Sequence, residues 1–184
     1  MGVSTATIVL GTVFIARSAG ADSGETERVR MTDDCHAASF NAAIGAGTCG
    51  GGGETRFEDF IGQLVENGFE ANESADDWEF EEDDVHIDHG DRLRVVDEGG
   101  EFHTSTEVEE FGPGCVLELD DALRIGLPDA QPIEECKDGS LFATTGVPAG
   151  GTLHVHGLEP GVHVFACLIH PWMQSVVEVR HDDH

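Results

Sequence analysis

The residues best placed to do chemistry lie near the end of the chain, in Cys167-Leu168-Ile169-His170-Pro171-Trp172-Met173. That run puts a thiolate, an imidazole and a thioether on one short loop. Soft sulfur donors combined with imidazole select copper. Two imidazoles, one thiolate and a weak axial thioether describe a blue-copper site. The loop is too short to supply a second imidazole, so one must come from elsewhere. His103 is the best candidate, because it follows the Gly99-Gly100 turn on a predicted strand upstream of the loop. The expected metal ligands are therefore His103, Cys167, His170 and Met173, around one type 1 copper ion. A lone His on a strand is usually structural. A Cys-x-x-His-x-x-Met set with a further His upstream rarely arises by accident. His154 and His156 share one face of another predicted strand and could bind a second metal, but they read more simply as solvent-facing. His181 and His184 in the acidic tail are weaker candidates, and His36, His86 and His89 read as surface residues.

The elements that must hold such a site show mostly a period of two. Val85 and Ile87 alternate with polar residues, and His89-Gly90-Asp91 marks a turn. Further strands are predicted over 92–97, 101–108, 152–156 and 175–180. Between 162 and 166, Val162, Val164 and Ala166 point one way while His163 and Phe165 point the other. Short strands joined by Gly-rich turns predict an all-β sandwich or barrel. One helix is well signalled before them. Thr55 and Glu58 form a T-x-x-E capping box, Phe57, Phe60, Ile61, Leu64 and Val65 follow at helical spacing, and Gly68 stands at the end. Upstream of it, residues 22–34 are polar and read as disordered. Residues 71–84 are strongly acidic, with Trp78 and Phe80 at alternating positions. Residues 111–145 interrupt the strands, with a short helix expected over 120–127.

Taken in order, His103, then Cys167-x-x-His170, then Met173, the chain resembles the cupredoxins of the plastocyanin, amicyanin and halocyanin kind. The short C-x-x-H-P-x-M loop is most similar to that of amicyanin. The resemblance implies an eight-stranded Greek-key β-sandwich and maps the copper-ligand roles onto His103, Cys167, His170 and Met173. It also implies that His170 is a partly exposed electron port, with redox partners docking near His170, Pro171 and Trp172; Trp172 reads equally well as core filling. Residues 85–180 carry the resemblance. The expected organisation is a signal peptide over 1–21, an N-terminal extension with a disulfide and a short helix over 22–76, and a cupredoxin domain over 77–184. Two features depart from the family pattern. The segment between His103 and Cys167 is longer than in small plastocyanins, and Leu168-Ile169 stand where Ser/Thr-Pro is common after the Cys.

Composition narrows the setting. The 184 residues carry 37 Asp plus Glu against 9 Lys plus Arg, a formal net charge of -28. Such a surface repels nucleic acid and anionic lipid, so neither is an expected partner. The acids are spread along the whole chain, which favours halophilic adaptation over a single patch for a basic partner. Residues 3–16 form a short apolar run suited to a signal peptide, with Ala19-Gly20-Ala21 as its cleavage site. No later segment looks transmembrane. The five cysteines fit an oxidising, extracytoplasmic location, secreted, periplasmic or cell-surface. Proximity pairs Cys35 with Cys49 and Cys115 with Cys136, one of three pairings open to four cysteines, and leaves Cys167 free.

The expected function is a monomeric one-electron carrier. The alternative is a protein that binds or delivers copper without cycling electrons. An oxidase or nitrite reductase would need further copper joined to the site, usually through a His next to the Cys. Here Ala166 and Leu168 flank Cys167, so no enzyme activity is expected.

Overall fold

The period-two segments form two four-stranded sheets. In the computed structural model, which describes residues 24–123 and 131–181, the first sheet runs β2 (Glu79–Phe80), β1 (Thr26–Thr32), β4 (Arg92–Asp97), β8 (Thr152–His156). The second runs β3 (Asp84–Asp88), β10 (Gln174–Arg180), β9 (Gly161–Ala166), β6 (Thr106–Val108). A separate short pair joins β5 (His103–Thr104) to β7 (Gly146–Val147). The β1–β4 and β3–β10 pairs are parallel and the others antiparallel. Parallel neighbours cannot be joined by a hairpin. The chain therefore passes repeatedly from one sheet to the other, as in a Greek-key sandwich. Val29, Met31, Leu93 and Val95 of the first sheet share one core with Val85, Ile87, Phe165, Val177 and Val179 of the second.

The alternation predicted at Val85 and Ile87 is realised in β3, where both are buried between exposed neighbours. Predicted strands 92–97 and 152–156 match β4 and β8 to the residue. The strand expected over 101–108 is broken at Ser105 into β5 and β6. This break lets one short segment serve two different pairings. On β9, Phe165 enters the main core, whereas Val164 and Ala166 pack with Val108 and Leu168 in a second cluster. That cluster lies under the 111–145 insertion, which supplies Phe111, Ile133, Leu141 and Phe142. The insertion holds α3 (Leu117–Leu123), a 3-10 turn and α4 (Leu141–Thr144). Part of the 120–127 helix expectation falls on 124–130, outside the described residues, as does all of 1–23 with the signal-peptide reading.

Residues 26–34 correct the expectation of disorder. They supply β1, which pairs with β4 from Thr26↔Arg92 to Met31↔Asp97. The run reads as polar because only Val29 and Met31 point inward, at 2% and 0% exposure. Its outward arginines meet acids instead, Arg28 with Glu98 and Arg30 with Glu81 and Glu82. The expected division at 76/77 therefore does not separate an extension from the sandwich, since β1 is an interior strand of the first sheet.

Between β1 and β2 the chain forms α1 (Ala37–Ala43) and α2 (Phe57–Asn67). The expected helix is found as α2, which buries Phe60 and Leu64 and packs Phe57 and Ile61 partly against the core, but Val65, expected on the same stripe, is exposed to solvent. The capping box is not formed. Thr55 Oγ1 donates to Asp34 Oδ2 at 2.8 Å, and Glu58 pairs with Arg56. A free N–H at the start of α2, that of Phe57, donates instead to Ser39 Oγ of α1 at 3.0 Å. Gly68, at φ 82°, ends the helix in the left-handed region that favours glycine. Phe40, Phe57, Phe60, Trp78 and Trp172 form one aromatic cluster, with Phe60 and Trp78 centroids 4.7 Å apart. Each fully buried large side chain contributes about 1.5–3 kcal/mol, so the cluster ties α1 and α2 firmly to the sandwich. The proximity pairing of cysteines is found: Cys35–Cys49 and Cys115–Cys136 are disulfides, and Cys167 is free and buried.

Candidate metal centre

Cys167 follows the last residue of β9, and the chain turns at once into β10. The loop is closed by its own backbone. Cys167 N–H donates to the Met173 carbonyl at 3.1 Å, and Met173 N–H to the His170 carbonyl at 2.9 Å. His103 arrives on β5, opposite Val147. The fold thus brings together three of the four expected ligands. Cys167 Sγ lies 3.9 Å from His103 Nδ1 and 3.8 Å from His170 Nδ1, and the two Nδ1 atoms are 3.2 Å apart. Met173 is fully buried in the same core cluster as Cys167 and Trp172.

These separations fit a shared metal ion. Metal–nitrogen and metal–sulfur bonds of about 2.0 and about 2.3 Å, opened by roughly 100–120°, put such donors roughly 3.2–3.8 Å apart. The donor chemistry agrees. Burial pushes the Cys167 thiol up, but its contacts with His103 and His170 outweigh that and hold it well below a thiol's ordinary range. The thiolate is the form that binds metal. The sulfur also faces two backbone N–H groups, Thr104 at 3.4 Å and His170 at 3.5 Å. Leu168 N–H donates to Thr104 Oγ1 at 2.8 Å, fixing the first residue after the Cys against β5. The Leu-Ile departure from the family pattern therefore leaves the sulfur with donors supplied by the backbone.

The distal nitrogens of both imidazoles face buried acids. His103 Nε2 lies 2.9 Å from Asp33 Oδ2, and neither side chain is exposed. The same oxygen accepts from Gly100 N at 2.9 Å and Glu101 N at 3.0 Å. Burial alone would raise the Asp33 carboxyl, but the hydrogen bond and charge of His103, with those backbone donors, bring it to about 2. Burial would lower His103, and its bonds to Asp33 and Cys167 instead hold it well above the usual imidazole range. On the other side, Glu101 Oε2 is 3.7 Å from His170 Nε2 and accepts from Trp78 Nε1 at 2.8 Å. Burial raises the Glu101 carboxyl, offset in part by His170 and Trp78. The turn glycines are required here, because a Cβ at Gly99 would collide with the Asp33 carboxylate.

The expected docking face is closed. His170 is 3% exposed and Trp172 is not exposed at all, while Pro171 is also buried. Phe60 of α2 stands edge-on to the His170 ring at 6.4 Å, and Trp172 lies at 5.3 Å. Trp172 Nε1 donates to the Trp78 carbonyl at 3.1 Å, so this side chain fills the core rather than a surface patch. Asn72 fastens the cover to the ligand loop. Its N–H donates to the Trp172 carbonyl at 2.7 Å, and its side chain bridges both backbone groups of Gln174. A partner approaching this face therefore meets α2 and its flanking chain before it reaches His170.

His154 and His156 are exposed on β8, and His86 on β3 and His89 just after it are exposed as well. Among the described residues, only two groups bring three metal-binding side chains together: His103–Cys167–His170, and Asp33–Asp97–His103. Asp33, Glu101 and Asn72 were not visible as site residues in the sequence. Asp33 lies in a polar run with no periodic signal, 70 positions from His103.

Comparison with family models and with curated proteins finds no match. Solved structures similar in fold include a purple cupredoxin of Nitrosopumilus maritimus, at 16% identity and TM-score 0.38, covering 55% of this chain and 82% of that one. A fern plastocyanin variant matches at 15% identity and TM-score 0.35, over 56% and 90% of the two chains. An amicyanin variant matches at 16% and 0.34, over 55% and 73%. A copper-containing nitrite reductase of Thermus scotoductus matches at 18% and 0.33, over 55% of this chain and 20% of that one.

Proposed function

We propose that this chain is an extracytoplasmic type 1 copper protein that carries single electrons between redox partners. His103, Cys167 and His170 would hold one copper ion, with Met173 as the weak axial donor. One observation carries the reading: a thiolate and two imidazole Nδ1 atoms, all buried, converge within 4.8 Å of one another. Copper held there supplies a one-electron couple whose potential depends on the axial donor and on the groups around the sulfur. The residues themselves keep the donor set in place. The loop's internal hydrogen bonds and the buried Trp172 leave the ligands little freedom to move between oxidation states. The Thr104 and His170 N–H groups face the sulfur, and the aromatic cover excludes water. Redox partners would dock on the surface over His170, Pro171 and Trp172 that α2 provides. Two disulfides support an oxidising compartment. We assign no catalytic role, and the chain is read as a monomer.

The test is a visible absorption spectrum after addition of Cu(II) in molar salt, beside a Cys167→Ser variant. The wild type should show an intense thiolate-to-copper band that the variant lacks, and should cycle with a mild reductant and oxidant without losing copper. A colourless copper-bound wild type would refute thiolate ligation. Loss of copper on each reduction would favour delivery over electron transfer.

A further inference from the structure

The buried acids behind both imidazoles set this centre apart from a site whose histidines face carbonyls or water. A carboxylate beneath an imidazole N–H fixes which nitrogen is left for the metal and makes that nitrogen a stronger donor. It also places a fixed negative charge in a region with little solvent to screen it. Asp33 meets both conditions. Its side chain is fully buried, it takes the His103 Nε2–H at 2.9 Å, and its other oxygen accepts Cys35 N–H at 3.2 Å. Cys35 is in turn held by the disulfide to Cys49. Glu101 approaches His170 Nε2 less closely, at 3.7 Å, and is oriented by Trp78. Both acids are aligned by the segment between β1 and β2 that also covers His170.

We propose that Asp33 and Glu101 are positioning residues that turn Nδ1 of His103 and His170 toward the metal and bias the centre toward its oxidised state. The inference rests on the copper reading above. Cu(II) carries one more positive charge than Cu(I), so a nearby buried anion stabilises the oxidised protein more. The potential is thereby lowered, and removing either charge should raise it.

The experiment is a redox titration of copper-loaded wild type, Asp33→Asn, Glu101→Gln and a control, Asp34→Asn. Separate measurements of Cu(II) and Cu(I) affinity accompany it. Asp34 bonds Glu54 and Thr55 and touches neither imidazole. For Asp33→Asn the expected result is about a tenfold fall in Cu(II) affinity relative to Cu(I), read as a rise of about 59 mV. Glu101→Gln should give a smaller rise, and Asp34→Asn none. Should Asp33→Asn fail to fold, Glu101→Gln decides the matter, since among the described residues its carboxylate anchors no backbone N–H. An intact thiolate–copper band with potentials unchanged or lowered in both variants overturns this inference and leaves the copper reading standing. A wild type without that band overturns both.

Discussion

Truncating Phe60 to alanine should both loosen the protein and uncover the His170 edge. Phe60 is 2% exposed and lies within 6.4 Å of the rings of Trp78, Phe40, Trp172, Phe57 and His170, measured between centroids. Its removal leaves a cavity ringed by stiff aromatics that cannot collapse into it. Buried Phe→Ala changes cost about 3–5 kcal/mol. A chain of this size loses about 2–4 °C of Tm per kcal/mol, so the expected fall is roughly 6–20 °C. Val65, on the same helix but 66% exposed, provides the control, since Val65→Ala should stay within about 0.5 kcal/mol. The assay is thermal unfolding of the metal-free protein by circular dichroism in molar salt. A second arm follows reduction of the copper-loaded protein by a small inorganic reductant, which should be faster in Phe60→Ala because α2 no longer shields the imidazole. A Phe60→Ala loss no larger than that of Val65→Ala would mean that α2 is not packed on the site, and the closed-face description would fail.

Three further outcomes are expected. Opening the Cys35–Cys49 bridge with a Cys35→Ser/Cys49→Ser double variant should cost about 3 kcal/mol, the worth of closing a loop of about 15 residues, in denaturant unfolding. The sequence separation of 14 sets that loop length. Asp120, raised by burial to about 6 and with one buried oxygen that finds no partner among the described residues, contributes stability when protonated. That contribution is complete below the unfolded carboxyl value and lost as pH rises through about 6. Asp120→Asn should therefore be more stable than wild type at pH 7, with the difference shrinking toward pH 4. With a formal charge of -28, unfolding in dilute buffer should occur at clearly lower temperature than in molar salt, where repulsion is screened over about 3 Å. Equal midpoints would remove the halophilic reading.

Much of the site was legible in the sequence because its signals are local. Cys167, His170 and Met173 share one short turn, so their types and spacing alone announce soft-metal chemistry. The strands around Val85, Leu93 and Val155 carry their inward faces as a period of two, and cysteines close in sequence became the bridged ones. The outcome for His103 lay between the two. Its place after a glycine turn suggested a candidate ligand, yet only the pairing of β5 with β7 and the reach of Asp33 bring its Nδ1 to the thiolate.

What the tertiary structure decided depends on contacts far apart in the chain. β1 carries too few apolar residues to stand out, and its burial comes from six successive partners in β4. The T-x-x-E box lost to competing bonds from Asp34 and Arg56, which no local rule can weigh. Likewise, the closure over His170 needs Phe60, Asn72, Trp78 and Glu101 to converge from four segments. Local pattern selects which side chains can bind a metal; long-range packing decides their orientation, their charge environment and whether solvent reaches them.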